Sequence, residues 1–162
     1  MTRTRHLTFL GLMLSAAAAF AGCDTDGGGK GEDVIGVIHY SYRGGLGPEY
    51  WFDLTIEENG ALSFDGNGAF GPAGAHTGSL DEFEAYQLRR FLSEIDFDGL
   101  ESMWGCIDCG GIHLSIEVNG VEVSRGFDSM WGMSGVIWAF MVIVEKIIAE
   151  TEWTPSAGDT PY

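Results

Sequence analysis

Residues 50–65 read YWFDLTIEENGALSFD, and how this stretch folds back on itself decides the architecture. Two alternating runs flank Glu58-Asn59-Gly60. A two-residue Asn59-Gly60 turn would set Ile56 opposite Ser63 and Leu54 opposite Asp65. A three-residue loop with Gly60 left-handed pairs Ile56 with Leu62 and Leu54 with Phe64 instead. A slip of one residue turns every side chain to the other face, so the second register is predicted. It places Asp53, Thr55, Glu57, Ser63 and Asp65 together on the polar face, with Asp53 opposite Asp65. Carboxylates that close repel unless water, distance or a cation separates them. Either a solvated pair or a cation-binding acidic module satisfies that requirement.

Upstream, residues 34–43 alternate as a further strand, with Ile38, Tyr40 and Tyr42 on one side and Val37, His39 and Ser41 on the other. Gly44-Gly45-Leu46-Gly47-Pro48 ends it; a strand rather than a helix follows, which excludes a phosphate-cradling loop. Downstream, the Gly/Ala/Pro-rich residues 66–78, with His76, predict a long loop. Ser79-Leu80-Asp81-Glu82 predicts a capping box. The helix it opens carries Leu80, Phe83, Leu88, Phe91, Leu92 and Ile95 on one face. Residues 94–99 imitate a calcium loop, but its twelfth position is Gly105, so a helix end with Phe97 and Leu100 in the core is expected.

Residues 112–118 and 121–127 alternate around a primed Asn119-Gly120 turn that sets Val121 opposite Val118, Val123 opposite Ile116 and Glu122 opposite Glu117. His113 and Glu117, about 13 Å apart along a strand, cannot share one ion. Ser134 caps a last helix running to about Glu150; residues 136–144 are apolar all round, too few to span a bilayer, so the helix is buried or covered by a partner. The predicted fold class is α+β: an antiparallel sheet of about five strands, two hairpins plus an N-terminal strand, with two helices packed on it. The domain spans residues 34–154, and 155–162 form a flexible tail.

At the other end of the chain, Arg3 and Arg5 precede an apolar run over residues 7–20 and then Ala21-Gly22-Cys23. Residues 1–22 therefore predict a secretory signal, too short to be a spanning helix. The small residues before Cys23 resemble the lipobox of bacterial lipoproteins, with Phe20 where that family usually has Leu. The resemblance implies that Cys23 is acylated and becomes the new N-terminus, anchoring the protein in the cell envelope and facing the periplasm or the exterior. Residues 23–33 then form the lipidated Cys and a Gly-rich linker. Asp24 occupies a position that some bacteria use to hold lipoproteins at the inner membrane, so inner and outer membrane both stay open.

Of the eight basic residues only Arg3 and Arg5 leave with the signal, while all 24 acidic residues remain, for a mature charge of −18. Such a surface repels nucleic acid and anionic headgroups and attracts cations or a basic protein face. With Cys23 lipidated, Cys106 and Cys109 remain, and an even pair in an oxidising compartment predicts a disulfide. A thiol–disulfide redox pair is the alternative, although a hairpin rather than a helix follows. Zinc would have only Asp108 and His113 nearby as further ligands. Ser102-Met103-Trp104-Gly105 recurs as Ser129-Met130-Trp131-Gly132, and Trp104, Met130 and Trp131 are the candidate binding residues.

Gly44-Gly45, the helix over residues 79–95 and the alternating final hairpin make residues 35–153 similar to small secreted bacterial domains and, more distantly, to emfourin, an inhibitor of thermolysin-type metallopeptidases. The resemblance implies a protease inhibitor and transfers no inhibitory residue. The sequence thus points to a membrane-tethered, non-catalytic module for an envelope protein or peptide. It offers no catalytic residue, cofactor or metal site.

Overall fold

Alternation of apolar and polar residues, interrupted twice by helical spacing, builds this molecule. The computed structural model describes residues 33–44, 50–97, 99–102, 110–128 and 134–156. Cys23, Trp104, Cys106, Cys109, Met130 and Trp131 lie outside these described residues. In chain order come β1 (Ile35–Arg43), β2 (Trp51–Ile56), β3 (Ala61–Asn67), β4 (Ala73–Ser79), α1 (Glu82–Ser93), β5 (Gly111–Val118), β6 (Val121–Asp128), α2 (Gly135–Glu150) and β7 (Thr154–Pro155). All strands join one sheet in the order β6-β5-β1-β2-β3-β4-β7, each pair antiparallel.

The class is α+β, but the sheet has seven strands where the sequence predicts about five. The two additional strands are β4 and β7. Residues 73–78, predicted as loop, and Ser79, predicted as a helix cap, pair with β3 along their whole length. Thr154 and Pro155, at the predicted fraying end, pair with Thr77 and His76, and the Ser156 amide donates to the Ala75 carbonyl at 2.9 Å.

Both hairpin registers follow the hydrophobic pattern. Ile56 faces Leu62 and Leu54 faces Phe64. Gly60, at φ +84°, turns the chain where an ordinary residue would be strained. In the second hairpin Asn119 and Gly120 take φ of 53° and 79°, and Val118 faces Val121. The two hairpins flank β1, whose Ile38, Tyr40 and Tyr42 stand between Ile56, Leu54 and Phe52 on one side and Ile116, Leu114 and Ile112 on the other.

These residues form the covered face of the sheet. Ile38, Leu54, Ile56, Leu62, Ile112, Leu114 and Ile116 are buried there, and each such side chain contributes about 1.5–3 kcal/mol. A band of aromatic contacts runs across it: Tyr40 on Phe52 at 5.7 Å, Phe52 on Phe64 at 5.7 Å, Phe64 on Trp153 at 5.2 Å. Phe140 of α2 meets the Tyr40 ring edge-on at 5.8 Å. Burial holds the Tyr40 phenol well above its ordinary pKa, with the charge of Glu145 adding to the effect and Tyr42 contributing less.

The capping box of α1 sits two residues later than the sequence suggests. Ser79 is still in β4, opposite Ala61, and the Leu80 amide bonds to the Gly60 carbonyl, so the helix starts only beyond them. Asp81 is the cap: its Oδ1 accepts from the Glu84 amide at 2.8 Å, and Glu84 Oε2 accepts from the Asp81 amide at 3.0 Å. Leu80, Ala85, Leu88 and Leu92 form the buried stripe. Phe83, expected on it, is 51% exposed because it lies about 140° round the helix from Leu88 and about 180° from Leu92.

Arg89, on the inner side of α1, donates to three main-chain carbonyls: Ile35 at 3.1 Å, Ala85 at 3.3 Å and Glu57 at 2.7 Å. It ties the helix to β1 and to the end of β2. Burial lowers its pKa, partly opposed by the charge of Glu58. Helix α2 begins at Ser134 as predicted, the Ser134 hydroxyl accepting from the Ile137 amide at 3.4 Å. Ile137, Phe140, Ile143, Val144, Ile147 and Ile148 are buried, while Trp138 is half exposed.

Candidate functional site

The polar residues of each strand alternate with the buried ones and so share the opposite, open face. Cross-strand registers align Ser124, Ser115, His39, Thr55, Ser63, Thr77 and Thr154 into one rung that crosses all seven strands. The next rung runs Gly126, His113, Ser41, Asp53, Asp65 and Ala75. Single strands announce their own polar residues. The rungs exist because β1 lies between the hairpins, which no local pattern reveals.

Hydrogen bonds fix several of these side chains. His39 Nδ1 shares one with the Thr55 hydroxyl at 3.0 Å, and His113 Nε2 shares one with the Ser124 hydroxyl at 2.9 Å. The predicted pair Glu117 and Glu122 does face across β5 and β6. Its repulsion is relieved by divergence, since Glu122 accepts from the buried Ser115 hydroxyl while Glu117 packs over Gly36.

Asp53 and Asp65 stand opposite each other as the register requires. The cation beside them is part of the chain. Arg43 Nη2 donates to both Asp53 oxygens, at 2.9 and 2.8 Å, and Nη1 donates to the Tyr42 and Phe52 carbonyls, each at 3.0 Å. Its guanidinium carbon lies 5.4 Å from the centre of the Trp51 ring. About half of each charged side chain is exposed, so the ion pair contributes at most ~1 kcal/mol to stability. Its consequence is positional: it holds Arg43, Trp51 and Asp53 in one arrangement.

The Asp65 side chain has no hydrogen-bond or ion-pair partner among the described residues. Arg43, Gly44, Tyr50, Trp51, Asp53 and Asp65 line a shallow depression of about 560 Å³. A second depression, of about 660 Å³, is lined by Glu57, Glu58 and Asn59 at the tip of the first hairpin. Among the described residues no group of three or more His, Cys, Asp or Glu could hold a metal ion. In the imitation calcium loop, Asp96 Oδ1 accepts from the Gly99 amide and Phe97 is buried, as a helix end requires.

The residues expected to carry function from the sequence, Cys106, Cys109, Trp104, Met130 and Trp131, all fall outside the described residues. Their flanks are visible. Strand β5 begins at Gly111, two residues after Cys109, and the Ser102 hydroxyl accepts from the Gly126 amide of β6 at 3.2 Å. Sequence reasoning picks out Asp53 and Asp65 but misses Arg43, Tyr50 and Trp51, whose signal is an Arg directly before, and a Tyr-Trp pair shortly after, a strand-breaking Gly run. Among the described residues no helix is long and apolar enough to cross a membrane. No family model matches the chain, and no curated protein matches its sequence.

Proposed function

We propose that this chain is an extracytoplasmic lipoprotein, tethered through Cys23, whose domain is a non-catalytic module that binds a protein or peptide. The observation that carries the binding role is the open face: among the described residues the helices bury one side of the sheet, and the other presents a hydroxyl-lined surface with a depression at Trp51. Such a surface offers many hydrogen-bonding groups held on rigid strands, which suits recognition better than bond-breaking. The thiol–disulfide alternative is weakened because a strand, not a helix, begins at Gly111, two residues after Cys109. A metallopeptidase is one candidate partner, on the strength of the emfourin resemblance.

Site-specific photo-crosslinking in cells tests the binding role. A benzophenone side chain at Thr55, on the open face, is expected to trap a partner, and one at the exposed Tyr86 of α1 is not. Trapping from Tyr86 alone, or from neither position, would overturn the assignment. The tether is tested separately by labelling with an alkynyl palmitate, which Cys23→Ala is expected to abolish.

A further inference from the structure

We propose that the open face docks a basic segment of its partner, with one Lys or Arg side chain seated in the depression between Tyr50, Trp51 and Asp65. This rests on the module reading above and names its ligand chemistry. Arg43 does not make the depression an anion site. Both its terminal nitrogens are committed, to the Tyr42 and Phe52 carbonyls and to the two Asp53 oxygens. What remains is acceptor-rich: the Asp65 carboxylate, which has no side-chain partner among the described residues, the half-exposed Tyr50, and the part of the Trp51 ring that Arg43 does not cover. Carboxylate and aromatic face together recognise ammonium and guanidinium groups.

Charge complementarity extends beyond the depression. The open face carries Asp53, Asp65, Glu117 and Glu122 against Arg43, the single Lys or Arg on it among the described residues. The other basic residues of the described chain lie elsewhere: Arg89 and Arg90 on α1, Lys146 on α2, and Arg125 on the covered side, opposite Leu114. An acidic face of this kind steers and orients a basic partner and repels an acidic one. The Ser63 and Thr77 hydroxyls, exposed beside Asp65 and Ala75, supply neutral hydrogen-bonding groups for the flanking backbone.

Titration calorimetry on the full-length protein in non-ionic detergent tests this, using a decapeptide of alternating Arg and Ser and its Glu/Ser counterpart. The Arg peptide is expected to bind and the Glu peptide not. Asp65→Asn and Trp51→Ala are each expected to weaken binding about fivefold, the size of one exposed ionic or cation–π contact. Glu94→Gln, the same charge change at the far end of α1, is expected to leave affinity unchanged. All three positions are at least partly exposed, and unchanged circular dichroism would confirm the fold of each variant. Equal weakening by Glu94→Gln and Asp65→Asn would reduce the effect to bulk charge and overturn the site. If Thr55 crosslinks a partner in cells while the Arg peptide fails to bind, the module stands and this inference falls.

Discussion

The two faces of the sheet are built from alternate residues of the same strands, yet they obey different rules. On β2, Leu54 is 1% exposed, while its neighbour Thr55 is partly exposed and shares a hydrogen bond with His39. The covered face is fixed by volume and by the exclusion of water. The open face is fixed by cross-strand registers and hydrogen bonds, and where its side chains are exposed it tolerates change because solvent can replace a lost partner. Stability should therefore respond to one face and recognition to the other.

The sharpest way to break this contrast is to cut adjacent residues. Leu54→Ala leaves a cavity between Tyr40 and Phe64 and is expected to cost about 2–5 kcal/mol. Thr55→Val, one residue along, is expected to change stability by no more than ~0.5 kcal/mol. Urea denaturation of both variants checks the pair. Similar losses would mean that the open face is packed against something, and the division of labour would fail.

A smaller effect sharpens the boundary between β4 and α1. Asp81→Ala removes the acceptor of the Glu84 amide and is expected to cost about 1 kcal/mol. Ser79→Ala, in the strand, is expected to be nearly neutral; the reverse order of thermal shifts would place the cap where the sequence alone puts it. The discrepancy has a general cause. A capping box is a spacing of residue types, and Ser79-x-x-Glu82 and Asp81-x-x-Glu84 both satisfy it. The choice was made by the pairing of Ser79 with Ala61, a tertiary contact.

Strand β4 itself was illegible for a related reason. Its covered-face positions are Gly74, His76 and Gly78 rather than large apolar residues, so no alternation marks it. The space is already taken. A Cβ on Gly78 would come within 2.5 Å of the Thr151 methyl and 3.2 Å of the Trp153 ring. The end of α2 supplies from above the apolar bulk that other strands carry themselves, and β7 exists because that turn delivers Thr154 beside Thr77. What could be read locally was each hairpin's register, the Ser134 cap and the acid pair at Asp53 and Asp65. What could not was the joining of the two hairpins through β1, which assembles the rungs of the candidate site and brings Arg43 to Asp53.

The gentlest test uses the titration of a covered-face group. At neutral pH Tyr40→Phe removes only a hydroxyl, and the two proteins should have nearly the same stability. The difference is expected to open as pH rises. Burial raises the folded-state pKa of Tyr40 above the ordinary value near 10, so the unfolded chain loses its phenolic proton first. The contribution is fully present below pH ~10 and is lost progressively as pH climbs toward the folded-state pKa. Wild type should therefore lose stability above pH ~10 faster than Tyr40→Phe, a gap that denaturation at pH 9 and pH 11 would expose. Open-face substitutions such as Asp65→Asn should not alter that alkaline slope. If they did, the two faces would be coupled electrostatically through the sheet, and the separation of core from recognition surface would be less complete than the residue-by-residue alternation implies.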